Sequence, residues 1–192
     1  MILEGLVTSV GPTGEMNVAP MGPIVDDALT TLVLRPFTTS HTCRNLRAHP
    51  SGVFHVVDDV LLLAQAALDR LAAPPDSFPA ERVPGFVLAA ACRWYEFVID
   101  ADDVAEPRPR MTARVVHAGR IRDFFGFNRA KHAVLEATIL ATRMHLMPRQ
   151  DLLEQLERLR IPVDKTAGPR EREAFELVWS HVAGAPELPQ QK

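Results

Sequence analysis

The sequence predicts a mainly β chain with a helical C-terminal part, its strands arranged as a closed or split antiparallel β-barrel. Three observations carry this. Six or seven short β-prone runs follow one another at hairpin spacing, which favours antiparallel pairing over a parallel sheet. From about residue 127 the texture changes to alanine- and leucine-rich segments with helical periodicity. No Gly-rich phosphate loop joins a strand to a helix, as a parallel nucleotide-binding sheet would need. The expected organisation is a barrel domain over residues 1–120 and a helical extension over residues 121–192, packed on the barrel.

The first run, residues 2–10, is strand-like, and Gly11-Pro12-Thr13-Gly14 supplies a turn. The return arm, residues 16–25, contains Pro20 and Pro23, which cannot donate to a ladder. This arm should therefore lie at a sheet edge or break midway, leaving backbone groups free for a ligand. Residues 29–35 form the next strand after Asp26-Asp27, and residues 53–57 another. Between them a short helix is expected over residues 42–49, ended by Pro50.

Asp58-Asp59 can cap a helix over residues 60–71. That segment is apolar nearly all round, so it should be buried against the sheet or a partner subunit. Residues 72–85 hold four prolines and read as a surface loop. Residues 86–104 are strand-prone, with Trp94, Glu96, Val98 and Asp100 on one face and Tyr95, Phe97 and Ile99 on the other, the better core candidate. Glu106-Pro107-Arg108-Pro109 breaks the chain before a last strand over residues 111–118.

Asn128 caps a helix running to Arg143. A second helix starts at Pro148 with Leu152, Leu153, Leu156 and Leu159 on one face. A third follows Gly168-Pro169, with Phe175, Val178, Trp179 and Val182 facing inward. The tail over residues 184–192 is expected to fray.

The chemistry concentrates where a strand delivers a polar turn onto a helix. After Arg35-Pro36-Phe37, Thr38, Thr39, Ser40 and Thr42 carry hydroxyls, and the fifth residue of that stretch is His41. These donors, with the positive end of the following helix, suit a phosphate-sized anion. The same residues also read as an ordinary capping turn that needs no ligand.

The balance of the chain sets outer bounds. Hydrophobic residues make up 47 % and charged residues 23 %, the composition of a globular protein. A net charge of −3 gives no general attraction to nucleic acid or an anionic membrane. Cys43 and Cys92 stand alone, in no metal-binding or disulfide-framework spacing. The first residues lack the basic and apolar regions of a secretion signal, so a cytoplasmic location is expected.

Asn17-Val18-Ala19-Pro20-Met21-Gly22, Leu32-Val33-Leu34-Arg35 and Ser40-His41-Thr42-Cys43-Arg44-Asn45-Leu46 together resemble the pattern of split-barrel flavin-binding proteins, the fold of flavin reductases and pyridoxamine phosphate oxidases. With Phe127-Asn128-Arg129-Ala130-Lys131 and the helix after it, residues 1–182 resemble an uncharacterised family of that fold, regarded as binding flavin mononucleotide (FMN). The resemblance implies that Arg35, Thr38, Thr39, Ser40, His41 and Thr42 hold the phosphate and that Asn45 backs the turn or reaches the ribityl chain. It places the arm of Asn17, Val18, Ala19, Pro20 and Met21 beside the flavin ring. Asn128 and Lys131 could reach the phosphate or a substrate, or serve only as a cap and a solvated first turn.

The resemblance further implies a homodimer with the flavin at the subunit junction and an oxidoreductase of unknown substrate. A non-catalytic flavin carrier and a structural module without cofactor are the alternatives. A deazaflavin or pyridoxal phosphate in the same place remains open. No side chain is nominated as acid, base or nucleophile, and Trp94 is placed either over the flavin or in the core.

Overall fold

The computed structural model describes residues 1–104 and 108–186. The break expected at residues 106–109 lies partly, and the tail beyond residue 186 wholly, outside the described residues. The chain divides into two compact units, one of Met1–Asp58 with Ala73–Phe124 and one of Asp59–Ala72 with Phe125–Lys192.

The first unit is built on a seven-stranded antiparallel sheet. In chain order its strands are β1 (Gly5–Val10), β2 (Met16–Met21), β3 (Ile24–Val25), β4 (Thr31–Leu34), β5 (Ser51–Val56), β8 (Arg93–Asp103) and β9 (Arg110–Arg120). The order across the sheet is β2-β1-β5-β8-β9-β4-β3, so β2 and β3 are opposite edges although only Gly22 and Pro23 separate them. A flat sheet of seven strands would hold its edges about 29 Å apart. The link from Met21 to Ile24 spans at most about 11 Å. The sheet must therefore curl, and it does so into a split barrel. Ile2 bridges to Ile24, Leu3 N–H donates to the Pro23 carbonyl and Val25 N–H to the Met1 carbonyl, which fastens the start of the chain to β3.

The proline-bearing return arm lies at an edge, as its missing donors require, with Pro20 opposite Leu6. Gly14, at φ +88°, provides the left-handed turn between β1 and β2. The inward faces supply Val7, Leu32, Leu34, Phe54, Tyr95, Phe97, Met111 and Ala113 to one core cluster. The Tyr95 face of β8 is thus the core face, as its alternation predicts. Helix α1 (His41–Ala48) adds Cys43 and Leu46 to the same cluster.

The strand-prone stretch after residue 85 is interrupted. Strand β7 (Phe86–Leu88) ends in a turn at Ala89–Ala90, where Ala91 N–H donates to the Leu88 carbonyl, and β8 begins at Arg93. β7 pairs with β6 (Ser77–Pro79), so the proline-rich segment expected as plain loop carries a short hairpin. Two buried polar groups tie this hairpin to the sheet. Glu96, on the Trp94 face, is 0 % exposed. Its carboxylate accepts N–H bonds from Glu81 at 2.8 Å, Arg82 at 2.6 Å and Val83 at 3.1 Å, and from the Trp94 indole at 3.2 Å. Burial alone would raise its pKa, yet these donors hold it below the usual carboxylate range. Trp94 packs with Val53, Val83 and Val87 in a second cluster.

His55 on β5 is the other anchor. Its Nε2 accepts from the Leu88 N–H at 3.1 Å, so Nδ1 carries the proton and donates to the Leu6 carbonyl at 3.2 Å.

The second unit is helical. Helix α2 (Val60–Ala67), capped by Asp59 whose carboxylate accepts from Leu61 and Leu62 N–H, joins α3 (Arg129–Thr142), α4 (Arg149–Thr166) and α5 (Pro169–Ala183). Val60, Leu61, Ala64 and Leu68 pack with Ala133, Val134, Leu152, Leu156, Phe175 and Val178. The cover for these α2 side chains is therefore the helical cluster, where the sequence pointed to the sheet or a partner. Alanines on α3 let the helix axes approach closely, and Pro169 opens α5 at its first position. No helix among the described residues is long and apolar enough to cross a membrane.

The His55 site makes stability depend on pH. Burial pushes His55 down to about 4 against the Leu6 hydrogen bond. An unfolded histidine takes up its proton near pH 6.5, so this contribution is complete above that value and drains as pH falls toward 4. The loss is on the order of 3 kcal/mol. Urea unfolding followed from pH 7 to pH 5 should show a steeper fall in stability for wild type than for His55→Gln. Equal slopes would show that His55 titrates alike in both states.

Candidate functional site

Helix α1 fixes the polar turn in place. Thr42, Cys43, Asn45 and Leu46 form its buried face, and Cys43 and Leu46 sit in the barrel core. Its start is capped by Ser40, whose hydroxyl accepts from Cys43 N–H at 3.1 Å and donates to the Phe37 carbonyl at 2.7 Å. The Ser40 hydroxyl is thereby used within the chain.

Beneath the turn lies a buried amide–hydroxyl network. Ser9 Oγ on β1 accepts from Asn17 Nδ2 at 3.3 Å and from Asn45 Nδ2 at 3.2 Å. Asn17 Nδ2 also donates to Thr42 Oγ1 at 3.1 Å. Ser9, Thr42 and Asn45 are all buried. This network joins β1, β2 and the first turn of α1. It directs the Thr42 oxygen toward Asn17 and leaves the hydroxyl hydrogen to donate elsewhere.

A cleft of about 280 Å³ opens beside it. One wall is the corner between the sheet edges, Ala19, Pro20, Met21, Gly22 and Ile24, with Ile2. The other is Arg35, Pro36, Phe37, Ser40 and Thr42, with Arg108. Among the described residues β2 has one ladder neighbour, β1, so part of its backbone faces away from the sheet. Among the described residues, no carboxylate, histidine or cysteine is part of the lining, and Arg35 and Arg108 are its charged members. The Glu4 carboxylate lies close against Gly22 at the corner.

The structure thus brings together Ala19, Pro20, Met21, Arg35, Ser40 and Thr42 of the residues singled out in the sequence. Asn17 and Asn45 stand behind the cleft and hold its wall. Val18 lies on β2 outside the lining. Thr38 and Thr39 are exposed and outside it, the Thr39 carbonyl accepting from Arg44. His41 is exposed and outside the lining. Asn128 and Lys131 belong to the helical unit. There Asn128 Oδ1 caps α3 through Lys131 N–H, its Nδ2 donates to the Thr166 carbonyl, and Lys131 Nζ pairs with Glu171 at 2.8 Å.

Sequence reasoning missed Arg108, Phe37, Pro36, Gly22, Ile24 and Ile2. Arg108 has the clearest local signal, a lone arginine between two prolines immediately before a strand. Its position depends on distant pairing, since the β4–β9 ladder, which ends at Leu34 opposite Met111, brings the segment before β9 close to the one after β4.

Two substitutions test this architecture. Ser40→Ala should cost about 1 kcal/mol of folding stability as a lost cap. Asn17→Ala should cost about 1–3 kcal/mol, because the buried hydroxyls of Ser9 and Thr42 lose its half-buried donor. Denaturant unfolding measures both, and unchanged midpoints would mean that neither bond organises the turn.

Comparison with known proteins bears on the family and the fold. Residues 3–122 match the family model described as "Protein of unknown function (DUF447) N-terminal domain", and residues 128–179 match "Protein of unknown function (DUF447)". No curated protein matches. An FMN-bound DUF447 protein from Methanosarcina mazei is 25 % identical, with a TM-score of 0.79 over 94 % of both chains. The styrene monooxygenase flavin reductase of Pseudomonas putida S12 is 12 % identical, with a TM-score of 0.52 over 62 % of this chain and 80 % of that one. An FMN-binding protein from Thermus thermophilus, with bound 1-cyclohex-2-enone, is 12 % identical, with a TM-score of 0.53 over 63 % and 72 %. The last two share the fold alone, a split barrel used by flavin proteins. With matches running through the barrel and on into the helices, the chain belongs to the DUF447 family.

Proposed function

We propose that this protein binds FMN in the cleft between the β2–β3 corner and the turn before α1, and that it works as a flavin-dependent oxidoreductase. The observation that carries the reading is the division of the cleft into an apolar corner and a cationic, hydroxyl-bearing turn. Ile2, Pro20, Met21 and Ile24 suit the faces of a flat ring system. Arg35 and Thr42 suit a phosphate, with the N-terminal end of α1 behind them. Backbone groups of β2 that turn away from β1 suit the donor–acceptor pattern of the pyrimidine edge. The similarity to an FMN-bound member of the same family supports this choice over a deazaflavin or pyridoxal phosphate.

Bound flavin supplies electron transfer, and the chain supplies binding and orientation. Among the described residues the lining offers no carboxylate, histidine or thiol to nominate for proton transfer. The same feature favours a second reading, a flavin carrier without turnover. At about 280 Å³ the cleft stands just below the range of about 300–1,000 Å³ for small-molecule pockets. A homodimer in which a second copy completes the enclosure belongs to the same reading.

The absorbance spectrum of purified protein, before and after adding FMN and desalting, tests the reading. Retained flavin bands are expected, and they should bleach when a reduced nicotinamide is added. Yellow protein that does not bleach favours the carrier. Colourless protein with no rise in melting temperature on adding FMN overturns flavin binding altogether, since a ligand selective for the folded state must stabilise it. Arg35→Ala and Thr42→Val should each weaken FMN about 10- to 100-fold, the equivalent of about 1.5–3 kcal/mol for a charge-assisted bond.

A further inference from the structure

Arg108 stands on the far side of the turn from α1. Its guanidinium carbon lies 4.1 Å from the centre of the Phe37 ring, and its Nη2 donates to the Arg35 carbonyl at 2.9 Å. Phe37 is 59 % exposed, so it is no core residue, and what it carries on its face is a cation at the cleft mouth. The β4–β9 ladder ends at Leu34 opposite Met111, which brings the segments carrying Phe37 and Arg108 near each other, and the ring contact and the Arg35 hydrogen bond join them there. The turn therefore presents two guanidinium groups, from Arg35 and Arg108, to one cleft.

A flavin ring with its ribityl chain is neutral, and riboflavin needs neither arginine. A phosphate monoester carries close to two negative charges near neutral pH. Ser40 spends its hydroxyl on capping, which leaves Thr42 as the buried hydroxyl donor and the two arginines as the charges. We propose that Arg108, held flat on Phe37, is a phosphate-recognition residue that makes the cleft select FMN over riboflavin. This inference rests on the flavin reading above.

Three features follow from the geometry. A planar guanidinium stacks on a ring and offers a fork of N–H donors, whereas a lysine ammonium does neither. Lysine at 108 therefore keeps the charge and loses the orientation. Loss of the Phe37 ring leaves the charge and removes its support. Neither change touches the apolar corner that takes the ring system.

Titration of the full-length protein with FMN and, separately, with riboflavin tests the proposal by the ratio of the two dissociation constants. Arg108→Ala should weaken FMN about 10- to 100-fold and leave riboflavin unchanged, collapsing the ratio. Arg108→Lys and Phe37→Leu should each give a smaller loss for FMN alone. The FMN dissociation constant of wild type should also rise more steeply with salt than that of Arg108→Ala. Equal weakening of both ligands, or weakening of neither, overturns the role of Arg108 while leaving flavin binding intact. Wild-type protein that binds neither ligand overturns the flavin reading itself.

Discussion

The two-residue link between opposite sheet edges is the constraint on which the rest of the first unit depends. Gly22 and Pro23 force β2 and β3 to stay near each other, while strand order sends them to the two ends of a seven-stranded sheet. Only a curled sheet satisfies both. Once curled, its concave side needs filling, and Phe54, Phe97, Leu32, Leu34 and Met111 do most of that. α1 contributes Cys43 and Leu46 to the same core, so the helix cannot be displaced without opening it. The cleft then forms where the joined edges meet the turn before α1. Its two walls are both consequences of closure.

Precision at the turn comes from the polar groups behind it. Asn17 and Asn45 both donate to Ser9, and Asn17 also to Thr42, so three elements share one hydroxyl–amide cluster in which Ser9, Thr42 and Asn45 are buried and Asn17 half-buried. Buried donors and acceptors are costly when unpaired, and such a cluster tolerates few alternative arrangements. Edge strand β2 would otherwise be the loosest of the seven. Its attachment to α1 through Asn17 is what lets an edge serve as a binding wall.

Much of this was legible in the sequence wherever the governing interaction is local. Proline in the return arm marked an edge, Asn128 and Asp59 announced their caps, and alternation in β8 gave the correct core face. What was not legible is what distant segments decide. Alternation put Glu96 on the outer face but could not show that backbone from residues 81–83 would cover it and satisfy its charge. The uniform apolarity of α2 demanded burial without saying against what. Of the candidate site, the residues contiguous with the strand–turn–helix pattern were found. Arg108 and Ile2, brought in by register and by the bridge to Ile24, were not.

A cleft whose charged lining residues, among those described, are arginines places a definite demand on the protein. In the flavin reading, the described lining serves by holding a ring system in register. That requires walls that do not yield. The corner wall is made of backbone and small or apolar side chains tied to β1 and β3. The turn wall rests on a capped helix whose other face is barrel core. Arg35 follows directly on β4, and Arg108 is held by the Phe37 ring and the Arg35 carbonyl. The site's geometry is inherited from the core, and what distinguishes one ligand from another is the placement of charge at its rim.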